Sequence, residues 1–308
     1  MATPNVSRRR FLAQTVAVPA AGWLAAAVAR SPAQAAEAAK PAGWQIGIYT
    51  RPWAQWEYRV ALDAIAEAGF KCAGLMTAKA KGGLVLSMES SLDEAHAVGQ
   101  EARKRGLAIV SVYGGGFPLK KDSLEEGVRG LRKLIDNTAA AGCSALMLGG
   151  TGNPAQQRAY YKTVAACCDY AAEKGMNLSV KPHGGTNSTG PQCRKCIELV
   201  GHKSFGLWYD PGNIFFYSEG KLDPVDDAAT VDGLVRGMSV KDYKHPRRVD
   251  VTPGTGQVNF PAVMARLAKG GFTSGPLVVE CLAPGDLRFL LAEAKKARQF
   301  IEHVVQTR

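Results

Sequence analysis

The second half of the chain contains four short apolar runs, and each is followed by a residue that can carry charge or hold a proton. The runs span 177–180, 205–209, 237–240 and 277–279. The residues after them are Lys181 and His183, Asp210, Lys241 with Asp242, and Glu280. A buried strand that stops at a reactive side chain is typical of α/β proteins, where the carboxyl ends of parallel strands meet at one face. We therefore expect these side chains to share one site.

The chemistry available to such a site follows from its residue types. Asp210, Glu280 and His183 are donors that suit a divalent cation such as Mn, Mg, Co or Zn. Such a cation would polarise hydroxyl and carbonyl oxygens of a sugar. Lys181, Lys241 and Glu280 are the candidates for moving a proton at the carbon beside the carbonyl. Two structural alternatives stay open. Glu280 can form a salt bridge with either lysine, and Asp210 can cap the turn that follows it.

Further residues near strand ends are candidates for substrate binding. They are Arg51, Trp53, Tyr113, Asn213 and Asp242. The run 149–152, Gly-Gly-Thr-Gly, could cradle a phosphate. A run of this kind is more often a tight turn between a strand and a helix, and we prefer that interpretation. We expect the ligand to be a small carbohydrate.

The elements that must position these residues alternate regularly from residue 43 onward. Eight short apolar runs are separated by amphipathic segments, most of which end at a glycine. This order predicts parallel strands with crossover helices. Eight such units in a chain of this length favour a closed (β/α)8 barrel of the TIM type, as a single domain over 43–308. The alternative, an open doubly wound sheet, would carry a glycine fingerprint after the first strand, where this chain has Thr50-Arg-Pro-Trp53.

The first 35 residues have the features of a twin-arginine signal peptide. Ser7-Arg-Arg-Arg-Phe-Leu12 precedes an Ala-rich apolar stretch, and Ala33-Gln-Ala35 fits a cleavage site. Residues 36–42 then form a short linker. The apolar stretch is too short for a lasting anchor, so we expect no stable membrane span after cleavage. The predicted location is the periplasm or the exterior of the cell.

The charge balance limits the choice of partners. The formal net charge is +11, and removal of the signal lowers it by four because the signal holds four arginines and no acids. The remaining charge is spread along the chain without basic blocks, so we expect no nucleic-acid partner. A moderate positive balance permits attraction of anionic molecules. A homo-oligomer is compatible with the sequence.

Three local motifs resemble those of the xylose isomerase-like barrel superfamily, the sugar phosphate isomerase/epimerase group. They are Trp208-Tyr-Asp-Pro-Gly-Asn213, Ser239-Val-Lys-Asp242 followed by Pro253-Gly-Thr-Gly-Gln-Val-Asn-Phe260, and Leu277-Val-Val-Glu280. The resemblance covers roughly the whole chain after the signal at the level of strand and helix order. It implies a TIM barrel in which a divalent metal is held by Glu, Asp, His and Glu from strands five to eight.

This chain departs from that ligand set at two positions. The resemblance implies ligand roles for Asp210 and Glu280, but Lys181 stands at the strand-five Glu position and Ser239 at the strand-seven His position. His183 could replace a missing ligand. Equally, the Lys181 ammonium could supply positive charge where a metal would sit. Both possibilities are open at this point.

The function predicted from these features is an exported sugar or keto-sugar isomerase or epimerase that works by proton transfer next to a carbonyl, with or without a divalent metal. A related keto-sugar lyase or hydratase is one alternative. A sugar-binding barrel without catalysis is another, suggested by the substitutions at Lys181 and Ser239. An apurinic-site nuclease on the same barrel would need a cluster of His and acids, and the five scattered His of this chain disfavour it.

Overall fold

A computed structural model describes residues 43–120 and 123–307. The predicted signal peptide and linker lie outside these residues. The strands are β1 Trp44–Tyr49, β2 Cys72–Leu75, β3 Ala108–Tyr113, β4 Ala145–Leu148, β5 Asn177–Val180, β6 Phe205–Tyr209, β7 Val235–Val240 and β8 Gly275–Val279. The helices are α1 Tyr58–Glu67, α2 Leu92–Lys104, α3 Glu125–Ala140, α4 Gln157–Glu173, α5 Gly190–Val200, α6 Pro211–Tyr217, α7 Pro224–Ala228, α8 Phe260–Lys269 and α9 Leu287–Gln306.

The strands form a closed barrel in chain order, and this confirms the predicted (β/α)8 architecture. Every neighbouring pair is parallel, and β1 closes the ring by pairing with β8 over five residues, from Trp44 opposite Gly275 to Ile48 opposite Val279. Because each crossover returns to the same end, all strand carboxyl termini open on one face. That face therefore receives Lys181, Asp210, Lys241 and Glu280.

Local chemistry sets the element boundaries. Gly142 and Gly175 adopt φ values of 84° and 65° just after α3 and α4, a left-handed conformation that ends a helix with little strain in glycine. The sequence pattern does not predict α6, because Pro211 and Gly212 directly after a strand are typical of a turn. Pro211 instead occupies the first turn of the helix and Asp210 caps it, an arrangement that favours helix initiation.

Two apolar clusters surround and fill the barrel. The larger one packs the helices against the outside of the strands. The smaller one lies inside the ring and contains Tyr49, Met76, Val110, Met147, Trp208 and Val278. Within it, Tyr49 Oη lies 2.8 Å from Ser111 Oγ, which satisfies the buried phenol. Of the helices within the described residues, none is both long and apolar enough to cross a membrane.

Candidate functional site

Four buried charged side chains meet at the carboxyl ends of β5 to β8. Lys181 Nζ lies 2.8 Å from Asp210 Oδ2 and 2.6 Å from Glu280 Oε2. Lys241 Nζ lies 3.2 Å from the same Asp210 oxygen and 2.5 Å from Glu280 Oε1. The four residues are between 0% and 2% exposed. The structure thus brings together groups that are separated by up to 99 positions in the chain. We call these four residues the charge cluster.

Glu280 is the most heavily hydrogen-bonded member of the charge cluster. Its Oε1 also accepts from Arg51 Nη1 at 3.0 Å, and its Oε2 accepts from Ser239 Oγ at 2.7 Å. Burial alone would raise the pKa of the Glu280 carboxyl, but the nearby cations, led by Lys181 and Lys241, outweigh it and hold the pKa well below its usual value. Glu280 is therefore an anion at neutral pH.

Asp210 has two roles, one for each oxygen. Its Oδ1 accepts from the backbone N–H of Asn213 at 2.9 Å and caps α6. Its Oδ2 faces the two ammonium groups. Both structural alternatives raised for the acids are thus observed together: Asp210 is a cap, and Glu280 pairs with both lysines. These contacts are compatible with a catalytic role, because the helix cap and the ion pairs hold the charged groups in fixed positions.

Lys241 is held by three acceptors. Besides the two carboxylates, its Nζ donates to Asn213 Oδ1 at 3.1 Å. The Asn213 amide in turn donates to the carbonyl of Pro182 at 2.6 Å. Burial would lower the pKa of Lys241, but Asp210 and Glu280 outweigh it and keep the pKa well above its usual value. Asn213, a predicted substrate-binding residue, therefore uses both of its amide atoms to hold Lys241 against β5.

A rim of partly accessible side chains surrounds the charge cluster. Arg51 is 35% exposed and lies between Glu280 and Asp250, 3.8 Å from the latter. Tyr113 and Tyr217 are half-buried and His183 is exposed. A side chain added at Gly149 would come within 3.3 Å of Tyr113 Oη and 3.6 Å of His183 Nδ1, so this glycine keeps the space between them open. Arg51, Tyr113 and His183 thus lie where the sequence pattern predicts them, at the mouth of the barrel.

The imidazole of His183 is unpaired among the described residues, where no side-chain hydrogen bond reaches it. Its ring centroid lies 6.2 Å from that of Tyr217. Although the residue is exposed, partial desolvation of the ring in the mouth of the barrel and the nearby Lys181 and Lys241 side chains lower the pKa of His183 to about 4. The ring is therefore neutral at pH 7 and has a nitrogen lone pair that can accept a proton.

Trp53 and Asp242 do not line the mouth. Trp53 has no exposed surface and packs in the larger apolar cluster. Asp242 is also fully buried, and its carboxylate accepts four backbone N–H groups. These donors are Tyr243 and Val258 on Oδ1 and Gly254 and Gly256 on Oδ2. Asp242 therefore organises the loop after β7, and Trp53 anchors the turn that carries Arg51.

The donor set does not fit the divalent metal that the family resemblance implies. Asp210 and Glu280 are the only acids in the charge cluster, and two ammonium groups contact them. Within residues 43–120 and 123–307, no three His, Cys, Asp or Glu side chains are grouped as a metal ion would require. A protonated lysine offers no lone pair and repels a cation. His183 therefore does not complete a metal set with the two acids.

A separate cavity of about 440 Å³ lies at the opposite end of the barrel. Its walls include Gln45, Asn177 and Pro276, at or near the amino ends of β1, β5 and β8. None of the charge cluster lines it. The charge cluster is the candidate functional site, because charged groups converge there and strand carboxyl ends carry the reactive groups of barrel enzymes.

The sequence pattern does not predict the role that three residues have at the site, and it does not single out Tyr217 at all. Ser239 donates to Glu280, Tyr217 reaches the rim from α6, and Gly149 keeps the mouth open. The only signal for Ser239 is its departure from a motif. Tyr217 lies seven residues after Asp210, and only the helix α6 brings it to the rim.

A comparison with known protein families agrees with the observed barrel fold. Residues 62–304 match the family described as xylose isomerase-like TIM barrel. A search among curated proteins by sequence finds no match.

Several solved structures share the fold. A xylose isomerase domain protein from Planctomyces limnophilus superposes with a TM-score of 0.65 at 17% identity, covering 86% of this chain and 98% of that one. A D-psicose 3-epimerase with D-tagatose, from Clostridium cellulolyticum H10, gives 0.68 at 14% identity, with coverages of 85% and 99%. A D-allulose 3-epimerase from Methylomonas sp. gives 0.66 at 19% identity, with coverages of 86% and 99%. At these identities the likeness establishes the fold.

Proposed function

Because this chain belongs to the xylose isomerase-like TIM barrel family, we propose that it is a sugar isomerase or epimerase that works by proton transfer next to a carbonyl. The observation that carries the proposal is the charge cluster itself. Three basic side chains, those of Lys181, Lys241 and Arg51, lie against two carboxylates at the mouth of the barrel. The three basic groups outnumber the two buried carboxylates by one, with the exposed Asp250 as a third acid 3.8 Å from Arg51. They lie where barrel enzymes hold their substrates.

The excess positive charge suits a reaction that places negative charge on oxygen. When a base removes the proton from a carbon beside a carbonyl, the electron pair of that C–H bond moves to the carbonyl oxygen and gives an enediolate. Fixed N–H donors in a buried site stabilise such an oxygen strongly, because they need little reorganisation. Return of a proton to the opposite face of the same carbon gives an epimer. Return to the neighbouring carbon, with transfer of the hydroxyl proton to the former carbonyl oxygen, gives an isomer.

The contacts divide the roles among the residues. Lys181 Nζ contacts two acceptors, so one of its three N–H groups is available to a substrate oxygen. Glu280 and Asp210 fix the two ammonium groups. His183, neutral and exposed, is the proton acceptor of the proposal. Arg51 lies between the cluster and solvent, so a substrate reaches Lys181 by moving Arg51 or binding to it.

One observation favours a barrel whose charge cluster has no catalytic role. The charge cluster is almost fully buried, and both oxygens of Glu280 are paired. Such a cluster could serve only to fix the strand ends. A keto-sugar lyase or hydratase differs from the main proposal at a later step, since it begins with the same proton removal and then eliminates a group from the next carbon.

Solvent exchange at carbon tests the proposal for many sugars at once. The purified protein is incubated with a panel of aldoses, ketoses and keto-sugars in D2O, and proton NMR follows loss of the signal beside the carbonyl. We expect exchange with at least one sugar. That exchange should be lost in Lys181→Met, assayed under conditions in which circular dichroism shows this variant folded, but not in the exposed helix variant Lys104→Met. Sugars that bind without exchanging protons would instead establish the non-catalytic alternative.

We further propose that the protein is exported by the twin-arginine pathway and acts outside the cytoplasm on a small carbohydrate. The support is the order of basic, apolar and Ala-x-Ala segments over 1–35. Twin-arginine export carries folded proteins, which suits a barrel whose last strand must pair with its first.

A further inference from the structure

The four positions at which the family resemblance implies metal ligands lie together in this chain, but they hold Lys, Asp, Ser and Glu. Lys181 Nζ lies 2.8 Å from Asp210 Oδ2 and 2.6 Å from Glu280 Oε2. Ser239 Oγ donates to the same Glu280 oxygen at 2.7 Å. The Lys181 ammonium therefore lies between the two carboxylates, and Ser239 joins the group through Glu280.

Ser239, at the position where the family resemblance implies a histidine, lies against a large buried ring. Trp208 Nε1 donates to Ser239 Oγ at 3.1 Å. The indole lies directly over Gly237, where an added Cβ would come within 2.3 Å of the ring. A small hydroxyl at 239 and glycine at 237 thus allow a large buried ring at 208. The serine is a hydrogen-bonded part of the packing.

The four charges of the cluster balance one another without a metal. Glu280 accepts from Lys181 and Ser239 on one oxygen, and from Lys241 and Arg51 on the other. A site that had only lost a ligand would leave buried carboxylate oxygens without partners, which is unfavourable. Here both oxygens of Glu280 accept hydrogen bonds. Asp210 Oδ2 accepts none, but it lies within ion-pair distance of the Lys181 and Lys241 nitrogens, at 2.8 Å and 3.2 Å. A dication added beside two ammonium groups would meet strong repulsion at low dielectric.

We infer that the Lys181 ammonium permanently occupies the position of the metal, so that this chain folds and binds its ligand without a divalent cation. Sugar oxygens would then be held by N–H donors rather than by metal coordination. This second statement rests on the proposed function, whereas the first concerns only the charge cluster.

Metal binding by the full folded chain tests the inference directly. The protein is purified without chelator, its Mn, Mg, Co and Zn contents are measured by elemental analysis, and its thermal midpoint is recorded with MnCl2 and with EDTA. We expect well under one equivalent of any of these metals and no change of the midpoint in either additive. One equivalent of bound metal, or a midpoint that rises with MnCl2, would overturn the inference.

A variant that restores a carboxylate shows whether Lys181 is what keeps the metal out. In Lys181→Glu, three carboxylates face one another, so MnCl2 is expected to raise the thermal midpoint by several degrees. The exposed variant Lys104→Glu should show no such rise. If Lys181→Glu folds and ignores MnCl2, the ammonium does not stand in the metal position. If it does not fold, the wild-type measurements still decide.

These readouts are independent of turnover. A protein that binds no metal and exchanges no sugar proton supports the inference while refuting the proposed function. A protein that exchanges sugar protons only with a bound metal supports the proposed function and refutes the inference.

Discussion

Lys181 Nζ lies 2.6 Å from Glu280 Oε2, although the two residues are 99 positions apart and follow different strands, β5 and β8. Each is almost completely buried. Because the free energy of an ion in a protein interior depends on its partners, each side chain is stabilised there by the other and by the rest of the charge cluster. The contact therefore joins the folding of the barrel to the assembly of its candidate site.

Removal of the ammonium should destabilise the fold. In Lys181→Met the two carboxylates keep Lys241 and Arg51 but lose the group that lies between them. We expect a loss of about 3–5 kcal/mol in the free energy of unfolding, as is usual when one partner of a buried pair is removed. Denaturant titration measures it. Lys104→Met, on an exposed helical pair with Glu101, should cost between about 0 and 1 kcal/mol. Equal effects of the two variants would show that the cluster adds little stability.

The stability contributed by Glu280 should depend on pH in a defined direction. Its pKa is held well below 4.5 in the folded protein, so protons bind more readily to the unfolded chain. The contribution is thus fully present above pH 4.5 and is lost as the pH falls through the folded pKa. The difference in unfolding free energy between wild type and Glu280→Gln should be constant from neutral pH to about 5 and shrink below that. A difference that grows on acidification contradicts this account. Glu125→Gln, at an exposed position, is the control.

The barrel can be predicted from the sequence because its signals are local. Each strand is a short apolar run. Most helices end near a glycine, the residue type that adopts a left-handed conformation with little strain, so the end of the helix can be recognised in the sequence. The convergence of Lys181, Asp210, Lys241 and Glu280 then follows from topology alone, since all parallel strands end at one face.

The detailed contacts cannot be predicted in this way because they depend on packing across the ring. Arg51 donates to Glu280, which lies 229 positions later in the chain. Nothing in the sequence of the turn that carries Arg51 specifies the side-chain rotamer that makes this contact. Trp53 and Asp242 are of types that often bind sugars, yet one fills the core and the other binds backbone amides. Residue type indicates which chemistry is available, whereas burial decides whether a ligand can reach it.

Asp242 should hold the loop after β7 in place. Its carboxylate accepts four backbone N–H groups, and Asn in its place would lose acceptor capacity and direct a donor at some of them. Each unsatisfied N–H costs about 1–3 kcal/mol. Hydrogen exchange of residues 254–258 should therefore accelerate strongly in Asp242→Asn. Asp286→Asn is a matched control, because Asn caps α9 about as well as Asp. Unchanged protection of the loop would return Asp242 to the substrate-binding candidates.

Export should depend on the arginine pair at positions 8 and 9. In a host with a twin-arginine pathway, we expect the wild-type chain in the periplasmic fraction with Ala36 as its first residue. Replacement of Arg8 and Arg9 by lysine should retain the protein in the cytoplasm, because the pathway recognises the paired guanidinium groups. Arg30→Lys, which preserves the charge near the cleavage site, should leave export unchanged. Export of the double variant would point to a different route.

His183 should control the pH dependence of sugar proton exchange. The pKa of the ring is lowered to about 4, so the neutral, proton-accepting form is present throughout the range above that value. The exchange rate should stay level as the pH falls from 7 to about 5 and decline through pH 4. An acid limb near the ordinary imidazole value of 6.5 would place the acceptor elsewhere or show that the ring is solvated in the complex.

Replacement of His183 should separate a loss of rate from a loss of stability. Because the imidazole makes no side-chain hydrogen bond to the described residues, His183→Gln should change the unfolding free energy by less than about 0.5 kcal/mol. The same variant should slow sugar proton exchange by about 100-fold or more. His303→Gln, at an exposed position on α9, should affect neither quantity. Such a large loss of rate without a loss of stability is the result expected of a proton acceptor, and a residue with only a structural role would not produce it.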